Sequence, residues 1–158
     1  MANSPKVRSD TALLKKLTQQ LVAPYMTRVG IIGKKAYANR EESEQTNADI
    51  GIKHEFGVRS ENIPKRSFLI EPIRERFEKE VVKHQKALTA KMEALDIEGV
   101  YELLGIIGEK VVQEAFETGG FGKWKPNALR TIQAKGSDKP LIDTSQLRKS
   151  ITSDVREK

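Results

Sequence analysis

The stretch EPIRERFEKEVVKHQKALTAKMEALDIEGVYELLGIIGEKVVQEAFETGG, residues 71–120, decides the fold. Ile70, Ile73, Phe77, Val81, Leu88, Met92 and Leu95 recur at spacings of three, four and seven, the period of one helical face. Pro72 falls in the first turn, and His84 occupies the missing place in the stripe, which reads as a histidine packed at a helix interface. After Asp96, a suitable cap, Ile97, Val100, Leu104, Ile107, Val111 and Ala115 repeat at three and four until Gly119-Gly120 ends the run. The link between the two runs is only a few residues, so the pattern predicts an antiparallel helical hairpin. Gly105 and Gly108 on its second arm permit close approach of a neighbour.

Shorter elements flank this hairpin. Ser9 or Asp10 can cap a helix whose Leu13, Leu14, Leu17, Leu21 and Val22 share a face, with Lys15, Lys16, Gln19 and Gln20 opposite and Pro24 ending it. YMTRVGIIGKKAY, residues 25–37, predicts a strand bent at Gly30 and Gly33. Residues 38–46 are polar and acidic, a loop. Asn47 or Thr46 can cap a short helix with Ala48, Ile52 and Phe56 in one stripe and Gly57 as a left-handed stop, although alternation at 48, 50, 52, 54 and 56 also allows a strand. VRSENIPKRS is a loop with an extended Ile63 before Pro64. Beyond the hairpin come a glycine-rich loop near 118–125, expected to be flexible, a helix from Pro126 to Ala134, a turn of helix capped near Asp143 or Thr144, and a strand from Ile151 to Val155. In KPLIDTSQLRKSI, residues 139–151, Leu141 or Ile142 before the cap and Leu147 and Ile151 after it form an apolar clamp. The predicted class is α+β: one domain over 1–158, with an antiparallel helical hairpin and short helices packed on a small, mostly antiparallel sheet.

Composition narrows the chemistry. The 158 residues contain no cysteine, which excludes disulfides, thiolate nucleophiles and cysteine-ligated zinc. No run approaches the roughly 18–20 apolar residues of a membrane span, so a soluble chain folded in a cytoplasm is expected. Charge comes in blocks. Residues 1–40 hold eight Lys/Arg against one Asp, residues 41–117 hold 11 basic against 17 acidic side chains, and residues 118–158 hold nine against four. Alternating blocks of this kind suit complementary faces for self-assembly or a protein partner as readily as they suit nucleic acid.

The search for catalytic equipment finds little. His54-Glu55 resembles half of a zinc-protease helix, but Val58 stands where the second histidine is required. GGFGKWKP lacks the spacing of a phosphate-binding loop. Trp124 between Lys123 and Lys125 can stack on a base, and equally can anchor its loop on the hairpin or serve at a subunit interface.

Three segments in order carry a resemblance. TNADIGIKHEFG, then IPKRSFLIEP, then WKPNALRTIQAKGSDKPLIDTSQLRKSI resemble the tail-completion and virion-morphogenesis proteins of long-tailed bacteriophages, which include neck and head-tail joining proteins. The matching positions are His54, Glu55, Phe56 and Gly57; Ile63, Pro64, Arg66, Phe68 and Leu69; Trp124 and Pro126; and Pro140, Leu141, Asp143, Thr144, Leu147, Ser150 and Ile151. Ser145 replaces the family's usual glycine, Asn127 replaces the leucine after Pro126, and many relatives continue into a further strand, so the sheet is completed either within the subunit or by a neighbour. The resemblance implies a structural virion protein in the tail or neck, assembled in the host cytoplasm as a homo-oligomeric ring with other head-tail connector and tail proteins. It implies no enzyme activity, no cofactor or metal and no membrane, with DNA met only non-specifically in a lumen. The alternative is a small nucleic-acid-binding module using the basic N-terminal helix and the Lys123-Trp124-Lys125 loop; a hydrolase centred on His54 and Glu55 is a third reading.

Overall fold

The periodicity of residues 70–118 is realised as three helices rather than two. In the computed structural model, which describes residues 25–40, 43–136, 140–141 and 146–157, the order is β1 (Tyr25–Ile31), β2 (Asn39–Arg40), β3 (Ser43–Thr46), α1 (Asn47–Phe56), α2 (Ile70–Lys83), α3 (Gln85–Glu93), α4 (Ile97–Thr118), α5 (Leu129–Lys135), α6 (Gln146–Ser150) and β4 (Ile151–Glu157). The chain is α+β. The helix expected over Leu13 to Val22 and the capping candidates Asp143 and Thr144 lie outside the described residues.

The break falls at His84. Its N–H donates to the carbonyls of both Glu80 and Val81, at 3.2 and 3.0 Å, and its ring Nδ1 lies 2.8 Å from the Glu80 oxygen. A side chain competing for that carbonyl disturbs the regular ladder and kinks the helix. The first arm of the hairpin is therefore α2 plus α3, and His84 is a half-buried joint instead of one more member of a continuous stripe.

α4 organises everything else. The Asp96 carboxylate accepts the Gly99 N–H at 2.9 Å to start it, and Gly119, left-handed at φ 63°, stops it. One side packs on α2 and α3, the other on the antiparallel ribbon in which β1 pairs with β4, Tyr25 opposite Glu157 and Ile31 opposite Ile151. Helix and ribbon touch at the two glycines. A Cβ at Gly105 would stand 2.7 Å from Ser153 Oγ, and one at Gly108 would stand 2.8 Å from Val29 Cγ2. Polar ties flank this contact: the Thr27 hydroxyl donates to the Tyr101 carbonyl at 2.7 Å, and Ser153 to Glu109 at 2.6 Å. Across the ribbon Arg28 grips Asp154 through two bonds, at 2.8 and 2.5 Å, and holds its carboxyl below the usual range. The core of Ile50, Phe68, Val112, Phe116, Leu147 and Ile151 lies beyond the ribbon's Ile31 end. Leu141 packs against it, as the clamp around residues 141–151 predicted.

Other expectations are revised. Residues 38–46 are no plain loop: β2 and β3 form a small antiparallel hairpin, whose paired backbone needs no apolar face. α1 buries Asn47, Ile50, Gly51 and Glu55, while Ile52 and Phe56 of the predicted stripe are 60% and 62% exposed. The cause is Gly51, whose missing Cβ admits Ile31, Phe68 and Leu147, together with the inward task of Glu55 described below. Gly57 has the positive φ expected, 76°, but an extended ψ of 154° in place of a left-handed cap. The loop after it is closed by a bridge between Val58 and Ile63 around a 3-10 turn, Arg59–Glu61. α5 begins at Leu129, not Pro126: the carbonyls of Lys125 and Pro126 accept from Arg66, outside the helix, and Ala128 is extended at the cap.

Overpacking the α4 face tests this architecture. Gly108→Val is expected to cost about 2 kcal/mol in urea unfolding, since the Val29 side chain cannot retreat from the ribbon. A second test uses pH. The Glu80 carboxylate, only 6% exposed, accepts from Lys83 and, at 2.9 Å, from Lys110 on α4. These bonds lower its pKa from 4.5 to about 2. Its contribution is therefore whole above pH ~4.5 and disappears as pH falls through about 2. Glu80→Gln is expected to flatten the loss of stability across that window in acid titration.

Candidate functional site at the motif junction

α1 opens with a reciprocal cap. The Thr46 hydroxyl accepts the Asp49 N–H at 3.2 Å, and the Asp49 carboxylate accepts the Thr46 hydroxyl at 2.7 Å and the Thr46 N–H at 3.0 Å, bonds that hold that carboxyl below its ordinary range. So fixed, α1 delivers Glu55 near its far end to the start of another helix. Its carboxylate accepts the Ser67 hydroxyl at 2.5 Å and the N–H groups of Phe68, Leu69 and Ile70 at 2.9, 3.0 and 3.0 Å. Ser67 in turn accepts the Glu71 N–H at 3.0 Å. Leu69, the residue at the cap of α2, has no side-chain cap of its own, so a glutamate from a separate helix caps α2.

The next motif residue works the same way. Arg66 is buried, and its N–H donates to the His54 carbonyl at 2.7 Å. Its guanidinium reaches the carbonyls of Lys125 and Pro126, at 2.9 and 3.2 Å, and the side-chain oxygen of Asn127 at 3.1 Å. Burial pulls its pKa below the ordinary value. Asn127, a departure from the resembled pattern, thus supplies a partner that a leucine could not. Trp124 donates from Nε1 to the Ser67 carbonyl at 2.9 Å and stands edge-on to Phe116 at 5.7 Å. A Cβ on Gly120 would lie 2.1 Å from that indole nitrogen. With Lys123 paired to Glu75 at 2.5 Å and the Arg76 guanidinium 4.5 Å above the Phe121 ring, the glycine-rich loop is tied at several points instead of hanging free.

The structure therefore brings together Glu55, Gly57, Arg66, Phe68, Trp124 and Leu147. Gly57 belongs here because a Cβ would lie 2.7 Å from Lys65 N. Phe68 and Leu147 are both in the core, 2% and 1% exposed. Phe56 points outward, and Pro140 sits half-buried in a turn beside Leu141. Sequence reasoning missed Ser67, Asn127 and Gly51; the hydroxyl of Ser67, just before an apolar helix start, was the one visible signal.

Beside the junction lies an open groove of about 760 Å³, walled by His54, Pro64, Arg66, Lys125, Thr131 and Leu141 among others. His54 faces it while the oxygens of Glu55 are taken up on the core side, so the two do not form a joint acid-base pair. Among the described residues no group of three or more His, Asp or Glu is placed to hold a metal ion, and no helix is long and apolar enough to cross a membrane. Comparison with family models, with curated proteins and with solved structures found no significant match.

Glu55→Leu would strand three N–H groups and is expected to cost about 3 kcal/mol or more in urea unfolding, with Glu55→Gln, which keeps one acceptor oxygen, costing roughly half as much. Equal, small losses in both would show that water replaces the carboxylate.

Proposed function

We propose that this chain is a structural virion protein that completes a long-tailed phage tail and joins it to the head, as a ring of copies at the head-tail interface. One observation supports the reading above others. Among the described residues, motif positions engage one another, Glu55 with 67–70, Arg66 with 125–127 and Trp124 with Ser67, so this part of the motif holds a shape and the Glu55 carboxylate is spent on it. Its partners on this reading are further copies and neighbouring connector and tail proteins, assembled in the host cytoplasm, with DNA passing non-specifically through the lumen.

The nucleic-acid module is less well supported. Trp124 is packed edge-on against Phe116 and donates its Nε1–H to the Ser67 carbonyl, and Lys123 pairs with Glu75, so of the three residues of that reading only the exposed Lys125 is not engaged within the loop's own contacts. The charge blocks also meet partly within the subunit: Lys123 pairs with Glu75, and Arg148 with Glu117. Contacts between subunits then fall to the remaining charges and to exposed apolar residues such as Ile52 and Phe56.

Light scattering of the purified chain, alone and with isolated phage tail tubes lacking their completion protein, tests the proposal. The expected result is a small species that becomes a tube-capping ring, with Ile52→Asp/Phe56→Asp reducing capping at least tenfold. A chain that ignores tubes and binds DNA with a steep salt dependence would transfer the function to the nucleic-acid reading.

A further inference from the structure

The flank of α4 that looks out beside β4 carries an exposed isoleucine. Ile106 is 60% exposed near the middle of α4, in the turn where that helix meets the ribbon. Its neighbours fix the direction it faces. Glu109 accepts from Ser153 of β4 at 2.6 Å, and Gln113 donates to the Arg148 carbonyl of α6 at 3.2 Å; three and seven residues on, both lie on Ile106's side of the helix. Lys110, four residues on, reaches Glu80 of α2 at 2.9 Å. Ile106 therefore projects from the arc between β4 and α2, with exposed Glu102 one turn before it and exposed Lys110 one turn after. Among the described residues β4 pairs along one edge, with β1.

We propose that this flank is the contact with a second copy of the chain, around a two-fold axis that passes beside Ser153 and Ile106. Charge is the first argument. Two α4 helices packed antiparallel about Ile106 set each residue before it opposite the one equally far after it in the other copy. Glu102 of each copy then meets Lys110 of the other, with the two isoleucines between the two ion pairs. Lys110 is 47% exposed and can serve both partners, since Glu80 also keeps Lys83. Register is the second argument. A Cβ on Gly105 would stand 2.7 Å from Ser153 Oγ and 3.1 Å from Thr27 Cγ2, so Ser153 lies over the residue next to Ile106 and α4 runs beneath both strands. The same axis therefore brings the outer edges of two β4 strands together about Ser153, Thr152 opposite Asp154 and Ile151 opposite Val155, and no like charges face each other in that register. Spacing agrees. With α4 under the midline of the ribbon, the two helices come two strand spacings apart, about 9.5 Å, the separation at which helices pack. The contact leaves Ile52 and Phe56 uncovered and does not depend on the virion role.

Sedimentation of the purified full chain, with neither tail tubes nor DNA present, is expected to show a dimer. Ile106→Asp and Glu102→Lys, both at exposed positions, are each expected to weaken it at least tenfold while leaving the helical circular dichroism unchanged. Because the chain lacks cysteine, a single Ile106→Cys reports on the axis directly. Under mild oxidation it is expected to give a disulfide-linked product of two-chain mass at least tenfold faster than Met92→Cys, a site 57% exposed on α3. A chain that stays monomeric overturns the proposal. So does a dimer indifferent to both substitutions, which would place its contact elsewhere, and so do equal cross-linking rates for the two cysteines. No tube takes part, so these outcomes are separate from success or failure in capping.

Discussion

One carboxylate holds this structure in register. The four bonds that Glu55 accepts fasten the end of α1 to the start of α2, and Arg66, between the two, carries the same segment to the loop after α4. Bonds to a charged acceptor are each worth more than neutral ones, and each donor here would otherwise be an orphan of a helix start. Because the segment 65–70 has almost no regular structure, its path is set by what it is bonded to. Phe68 enters the core only because its own N–H and those of the next two residues are held in place.

The hairpin was the legible part of the sequence. Asp96 and Gly119 bound α4 as their chemistry predicted, and the apolar period ran true between them. The break at His84 was hidden because the period continues across it: a ring nitrogen competing for a carbonyl leaves no mark on the spacing of Val81 and Leu88. The inverted face of α1 was hidden for a related reason. Counting apolar residues assigns Ile52 and Phe56 to the interior, but a glutamate that serves another helix and a glycine that makes room for Phe68 outrank them.

The site was legible as an order of motifs and illegible as a set of contacts. That HEFG, IPKRSFL and WKPN belong together could be read from the resemblance; that Glu55 answers to Ser67, and Arg66 to Asn127, depends on backbone geometry that no spacing encodes. Asn127 shows the limit best. A departure from the resembled pattern turned out to add a bond, since the buried guanidinium gains an acceptor there.

The β1–β4 pairing has a consequence for how the protein is made. Arg28 and Asp154 face each other across the ribbon although 126 residues separate them in the chain. At ordinary synthesis rates of about 5–20 residues per second, β1 waits on the order of ten seconds for its partner strand to be translated. During that interval the glycine face of α4 and the inner side of β1 lack their full cover, and loop closure over such a distance makes the ribbon a slow step. The helices of this protein form from neighbours in sequence; the ribbon of β1 and β4 must wait for a strand made more than a hundred residues later.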